Sequence, residues 1–287
     1  MNWSERRARY RAVLAGTRCL HPASVYDPLS VRIAEDLGFE IGMYAGSTAS
    51  LTVLGAPDLV VLTLSEFAGQ ALRINRAAKL PVMCDADHGY GNALNVKRTV
   101  EELENAGISA LTIEDTVLPT QFGELDTTRL IPIAEGVGKM GAAIAGRQDA
   151  ALTIIARTSA MAVTGLADAI ERVRAYEAVG VDAIFLAGVK SRAEVEAVSA
   201  AVSLPIILGN VTSELADLSY LASKRVRICL QGHAPIAAAV RAVHDTMKAL
   251  REGTPPDKLA GIASADMMKR VTRDAEYRGW MKEFLGG

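Results

Sequence analysis

A chain of 287 residues, half of them hydrophobic and 22% charged, is long enough to bury one large α/β core or two smaller ones. Its formal net charge is −2 and its pI about 6.1, and no basic stretch marks a nucleic-acid footprint, so small-molecule chemistry is favoured. The three cysteines lie far apart without a CxxC, the charged N-terminus MNWSERRARYRAVLAG lacks an apolar signal-peptide core, and no apolar run reaches the roughly 20 residues of a membrane helix. A soluble, cytoplasmic protein is expected.

Short apolar runs alternate with amphipathic stretches along the chain. Strands are predicted at 19–27, 39–46, 80–87, 110–116, 152–158, 183–189, 204–210 and 226–232. They are almost continuously apolar and bounded by polar residues or glycine, as strands buried on both faces should be. Helical periodicity covers 93–107, where Val96, Val100, Leu103 and Ala106 share a face and Gly107 ends the helix. It returns at 167–180, at 191–202, where Ser191 and Glu194 have capping-box spacing, and at 234–253. Eight β-then-α units without a linker predict a single (β/α)₈ TIM-type barrel over 1–287, with an N-terminal helical extension and a C-terminal helical tail. A doubly wound open sheet would need a glycine-rich phosphate loop after its first strand, and HPASVYDPLS offers none.

In such a barrel the chemistry lies where strands end. The ends carry Asp27, then Ser47 in AGSTAS, then Asp85-Ala-Asp87-His88-Gly-Tyr90, Glu114-Asp115, Arg157-Thr158, Asn210 and Gly232-His233. Asp85 and Asp87 are two apart on a predicted strand and so face the same way, where like charges need a cation or protons. Glu114 adds a third acid. Oxygen ligands without a cysteine or histidine pair favour Mg²⁺ or Mn²⁺ over Zn²⁺, and Arg157 suits bidentate capture of a carboxylate. Plainer readings stand beside these. The DxD pair could be a surface turn, Glu114 a structural partner of Arg157, and Ser47 or His233 a helix cap. His88 orients its loop, Asp27-Pro28 starts a turn or helix, and Cys84 is core.

The run PVMCDADHGYGNALNVKRTVEELENAGISALTIED (81–115) resembles the central signature of the isocitrate lyase/phosphoenolpyruvate mutase superfamily, and ASVYDPLSVRIAEDLGFE, AGSTAS, GAPD and IIART extend the resemblance in order. It implies the barrel and a homotetramer, a dimer of dimers with helices exchanged between subunits. It also implies Asp85 as direct metal ligand, Asp87, Glu114 and Asp58 around the metal's waters, Ser47 at the substrate's 2-oxo acid end and Arg157 at its carboxylate. The loop TVLPTQFGELDTT (116–128) lacks the Cys, Lys and His of the KKCGH loop in isocitrate-type lyases, and it matches poorly the gating loop of the mutases and phosphonopyruvate hydrolases. With EGVGK (135–139) and GHAP (232–235) it is most similar to the oxaloacetate decarboxylase branch, in which His233 would contact the substrate. The resemblance is thinner over 159–230, and IILGNVTS (206–213) lacks a Tyr found there in some members. The implied activity is Mg²⁺-dependent decarboxylation of oxaloacetate, a 2-oxo dicarboxylate, to pyruvate and CO₂ through a metal-stabilised enolate, with the 116–130 loop excluding water. Alternatives are a 2-alkylmalate- or methylisocitrate-type C–C lyase, a phosphonopyruvate hydrolase and, from a different class, a silent barrel acting as a binding protein.

Overall fold

The computed structural model describes residues 2–124 and 128–286. The chain forms two compact units, residues 1–232 and 233–287. The first holds α1 (Trp3–Ala15), β1 (Ala23–Ser24), α2 (Pro28–Asp36), β2 (Gly42–Tyr44), α3 (Gly46–Ala49), α4 (Leu64–Ala77), β3 (Val82–Asp85), α5 (Ala93–Asn105), β4 (Ala110–Glu114), α6 (Ile133–Gly146), β5 (Thr153–Thr158), α7 (Ala160–Val163), α8 (Leu166–Val179), β6 (Ala183–Leu186), α9 (Arg192–Ala201), β7 (Ile206–Leu208), α10 (Leu218–Ser223) and β8 (Val226–Cys229). All eight predicted strands are present, each parallel to the next in chain order. Leu20 closes the circle: it bridges Ile228, giving its N–H to Arg227 O (3.0 Å) and accepting from Cys229 N (2.9 Å).

The strands are shorter than the apolar runs that announce them. The first shrinks to Ala23–Ser24 plus the Leu20 bridge, because Pro22 has no N–H for a ladder. Helix α6 was not anticipated. Its glycines lower helix propensity, yet packing needs two of them: a Cβ on Gly136 would stand 2.4 Å from the Tyr176 hydroxyl, and one on Gly146 2.7 Å from Lys97 O.

Period-2 alternation sorts the strand residues. Met43, Met83, Ala110, Ile155, Ala183, Phe185, Ile207 and Ile228 fill the barrel interior; Tyr44, Cys84, Leu111, Ile154 and Ile184 pack outward under the helices. Helix α1 adds Tyr10, fully buried, to the interior cluster. Its arginines grip backbone carbonyls just before the strands: Arg6 holds Asn75 O, Arg7 Ile108 O (3.0 Å), and Arg11 Ala151 O (2.9 Å) and the Asp182 carboxylate (2.8 Å). These partners precede β3, β4, β5 and β6, so α1 lies across the N-terminal mouth and the C-terminal mouth is left for chemistry.

The second unit contains α11 (Ala234–Arg251), α12 (Ala265–Thr272) and α13 (Asp274–Leu285). No residue of α11 or α13 is buried, and Val240, Val243, Met247 and Leu250 are exposed apolar residues. No helix among the described residues is long and apolar enough to cross a membrane.

Candidate active site

The alternation that buries Met83, Ala110 and Ile155 aims Asp85, Thr112, Glu114 and Arg157, two or four residues further along the same strands, into the C-terminal mouth. Strand register sets the pairs. Thr112 lies opposite Asp85 and donates from Oγ1 to Oδ1 (2.8 Å), while Glu114 lies opposite Arg157, with Nη2 3.1 Å from Oε2. Arg157 Nη1 also donates to Asp85 Oδ2, and the guanidinium sits 5.3 Å from the ring centroid of Phe185, its register partner on β6. Its Nε–H is buried without a hydrogen-bond partner. The Glu114–Arg157 pair thus exists, but within a larger cup.

Asp87 reaches the cup by another route. It lies beyond the end of β3, with φ +47°, so the turn and not the pleat directs its side chain. This corrects the simple two-apart argument. The carboxylate comes to rest against the Gly46 backbone: a Cβ on Gly46 would stand 2.8 Å from both Asp87 oxygens. Ser47 follows on α3, half-buried. It does not cap that helix, since Thr48 Oγ1 closes on the Ala45 N–H (3.3 Å) and C=O (2.9 Å). Asp58 is exposed, and its charge is felt by Asp87 and Glu114.

Burial, and then the charges of Asp85, Glu114 and Asp58, push the Asp87 carboxyl well above the usual carboxylate range; Arg157 offsets this only in part. Glu114 is raised by burial too, with Arg157 opposing and Asp85, Asp115 and Asp58 adding to the rise. The cup therefore holds more negative charge than its arginine compensates. Its donors are carboxylate and hydroxyl oxygens, the set that suits a hard divalent cation. Among the described residues no three acidic, imidazole or thiol groups converge into a ready cage, and Arg157 spans Asp85 and Glu114 instead. The cup fits a divalent cation by charge and donor chemistry.

Asp27, Cys84 and Asp115 have other settings. Asp27 caps α2, accepting the Ser30 N–H at 2.7 Å, with Pro28 at the first helical position. Cys84 is fully buried in the outer core. Asp115 points away from the cup, where Arg172 (3.1 Å) and Tyr176 (2.7 Å) donate to it. Asn210 is exposed beside Gly232. His233 belongs to the second unit, directly before α11. In the 116–130 loop the feet are joined by a Thr116–Leu130 bridge and Val117 N to Arg129 O (2.8 Å); residues 125–127 lie outside the described residues.

Sequence reasoning missed Gly46, Thr112 and the setting of His88. The His88 ring is buried, and that burial, with the Lys139 charge, pushes its pKa down to about 4. Its Nδ1, like the hydroxyls of Tyr44 and Tyr90, is buried without a partner. Only Thr112 had a signal, its place two residues before Glu114 on a predicted strand.

A closed parallel eight-stranded barrel with charged side chains gathered at its C-terminal mouth has the architecture of a (β/α)₈ enzyme. The chain belongs to the phosphoenolpyruvate phosphomutase family, which it matches over residues 11–251. An oxaloacetate decarboxylase of Bradyrhizobium diazoefficiens is 59% identical over 286 residues, covering 100% of this chain and 99% of the relative. Among solved structures, phosphonopyruvate hydrolase in complex with oxalate and Mg²⁺ superposes with a TM-score of 0.84 at 29% identity, over 98% of this chain and 99% of that one. A 2,3-dimethylmalate lyase gives 0.84 at 28% identity, over 99% of each chain.

Proposed function

We propose that this protein is a carboxy-lyase that decarboxylates oxaloacetate to pyruvate and CO₂ with Mg²⁺, or Mn²⁺ in its place. The carrying observation is 59% identity along the whole chain to an oxaloacetate decarboxylase. The charged cup supports it independently, because excess carboxylate charge beside one arginine suits joint capture of a cation and an anionic substrate.

In this reading Asp85 would hold the cation directly, and Asp87, Glu114 and Asp58 would hold it through water. Ser47 grips the 2-oxo acid end. Arg157 binds the adjacent carboxylate. His233 engages the far carboxylate. When the C3–C4 bond breaks, its electron pair moves toward the 2-oxo group and CO₂ leaves; a proton from water then returns to C3. A cation held in the cup would supply positive charge against the negative charge that develops on the 2-oxo oxygen. No enzymic nucleophile is needed, consistent with a 116–124 segment that carries no cysteine.

The whole chain acts as one barrel domain with its helical tail, in a cytoplasmic homotetramer whose subunits exchange helices. Three free, buried cysteines suit a reducing compartment. Val240, Val243, Met247 and Leu250 line one stripe of α11, an apolar face that a partner subunit would cover. Light scattering tests the assembly. For activity, the protein with Mg²⁺ is offered oxaloacetate, 2-alkylmalates and phosphonopyruvate, with pyruvate release coupled to a reductase. Oxaloacetate turnover well above the free-Mg²⁺ background is expected; preference for another member of the panel refutes the assignment.

A further inference from the structure

The EGVGK segment has no role in the function proposed above, yet it supplies a buried ammonium. Lys139 lies on the buried face of α6 with Gly136, Met140 and Ala143, a stripe that packing alone would fill with apolar residues. It is 3% exposed. Burying an ammonium is costly unless it is paired or hydrogen-bonded.

Its Nζ donates to the carbonyl of His88, at 2.9 Å. That carbonyl sits in the turn that delivers Asp87, where Asp87, Gly89, Tyr90 and Gly91 all have positive φ. Such a turn persists only when its surroundings over-determine it. Three consecutive carbonyls are each held by a different element: Asp87 O by Glu114 N of β4 (2.9 Å), His88 O by Lys139 of α6, and Gly89 O by Thr99 Oγ1 of α5 (3.0 Å). The Lys139 charge is felt first by Glu135 of its own helix and then by Glu114 and Asp115. We infer that Lys139, with Thr99, is a positioning residue that locks the 86–91 turn so that Asp87 is presented to the cation site before any cation arrives. The inference rests on the function proposed above.

Two opposed effects make it testable. If Lys139 served only as a counter-charge, its removal would tighten cation binding; if it positions the turn, removal weakens binding. Mn²⁺ is titrated into wild type, Lys139→Met and Thr99→Val, with free Mn²⁺ read by electron paramagnetic resonance. Amide hydrogen exchange is followed in the metal-free proteins. Lys139→Met is expected to raise the Mn²⁺ Kd at least tenfold and to speed exchange at Gly89 and Glu114 at least tenfold, with the remaining strands still protected. Thr99→Val, which keeps the cation and loses one grip, moves both readouts the same way by less, and decides the matter alone if Lys139→Met does not fold. An unchanged or lower Mn²⁺ Kd, or a turn that stays protected, overturns the inference. Wild type that binds no Mn²⁺ while the variants still loosen the turn overturns the proposed function, and with it the purpose given to the clamp.

Discussion

Gly46→Ala separates activity from stability. Position 46 opens α3 and has no positive φ, so alanine fits its backbone. The new Cβ, however, would lie 2.8 Å from both oxygens of Asp87, where ordinary contact begins at 3.4 Å. The carboxylate must retreat by roughly 0.5 Å. A 1 Å misplacement in an active site costs on the order of 100-fold, so about a tenfold loss in kcat/KM is expected. Decarboxylation is followed by coupling pyruvate to lactate dehydrogenase at saturating Mg²⁺, less the enzyme-free rate, and melting is followed by circular dichroism. The expected outcome is lower kcat/KM with an unchanged or higher Tm. A variant within twofold of wild-type kcat/KM would refute the placement of Asp87, and a matching fall in Tm would trace the loss to folding instead.

Asp85→Ala should abolish both turnover and Mn²⁺ binding; near-normal turnover after chelation of metal contradicts the scheme. Cys84→Ala, in the outer core, should lose about 1 kcal/mol of stability and keep most activity, and inactivation without unfolding would assign the thiol a chemical part. His233→Ala should raise KM or lower kcat for oxaloacetate, and unchanged kinetics remove it from the site. Asp149 ties α1 to the barrel floor: burial disfavours its charge, but hydrogen bonds from Arg7, Ser4 and the Ala151 N–H, with the Arg7 charge, hold its pKa down at about 2. Because the folded pKa is depressed, this stabilisation is full above the unfolded value near 3.9 and is lost as pH falls through 2. The carboxylate is partly exposed, so about 1 kcal/mol is expected. Asp149→Asn should therefore lower unfolding free energy in urea at pH 7 by that amount, with the gap to wild type closing toward pH 2; a gap independent of pH refutes the ion-pair account.

Local pattern carried much of the architecture. Strands buried on both faces must be apolar throughout, so runs such as LPVMC and ALTI were legible as barrel staves, and their polar ends marked Asp85, Glu114 and Arg157. Ser191 and Glu194 form the capping box their spacing announced, because that motif is closed within one helical turn. Helix α6 was not legible, since its three interior glycines argue against a helix, and the Tyr176 ring that requires Gly136 comes from a distant helix.

The sequence alone therefore determined the stave order, the inward acids and arginine, and the family likeness that predicts the chemistry. Which carboxylate rests on Gly46, which lysine holds the turn, and how far Asp87 and Glu114 are pushed toward protonation were decided only by the tertiary structure. These depend on groups from α3, the turn after β3, β4, β5 and α6 meeting in space, and separations through space between residues distant in the chain are not written into any local run.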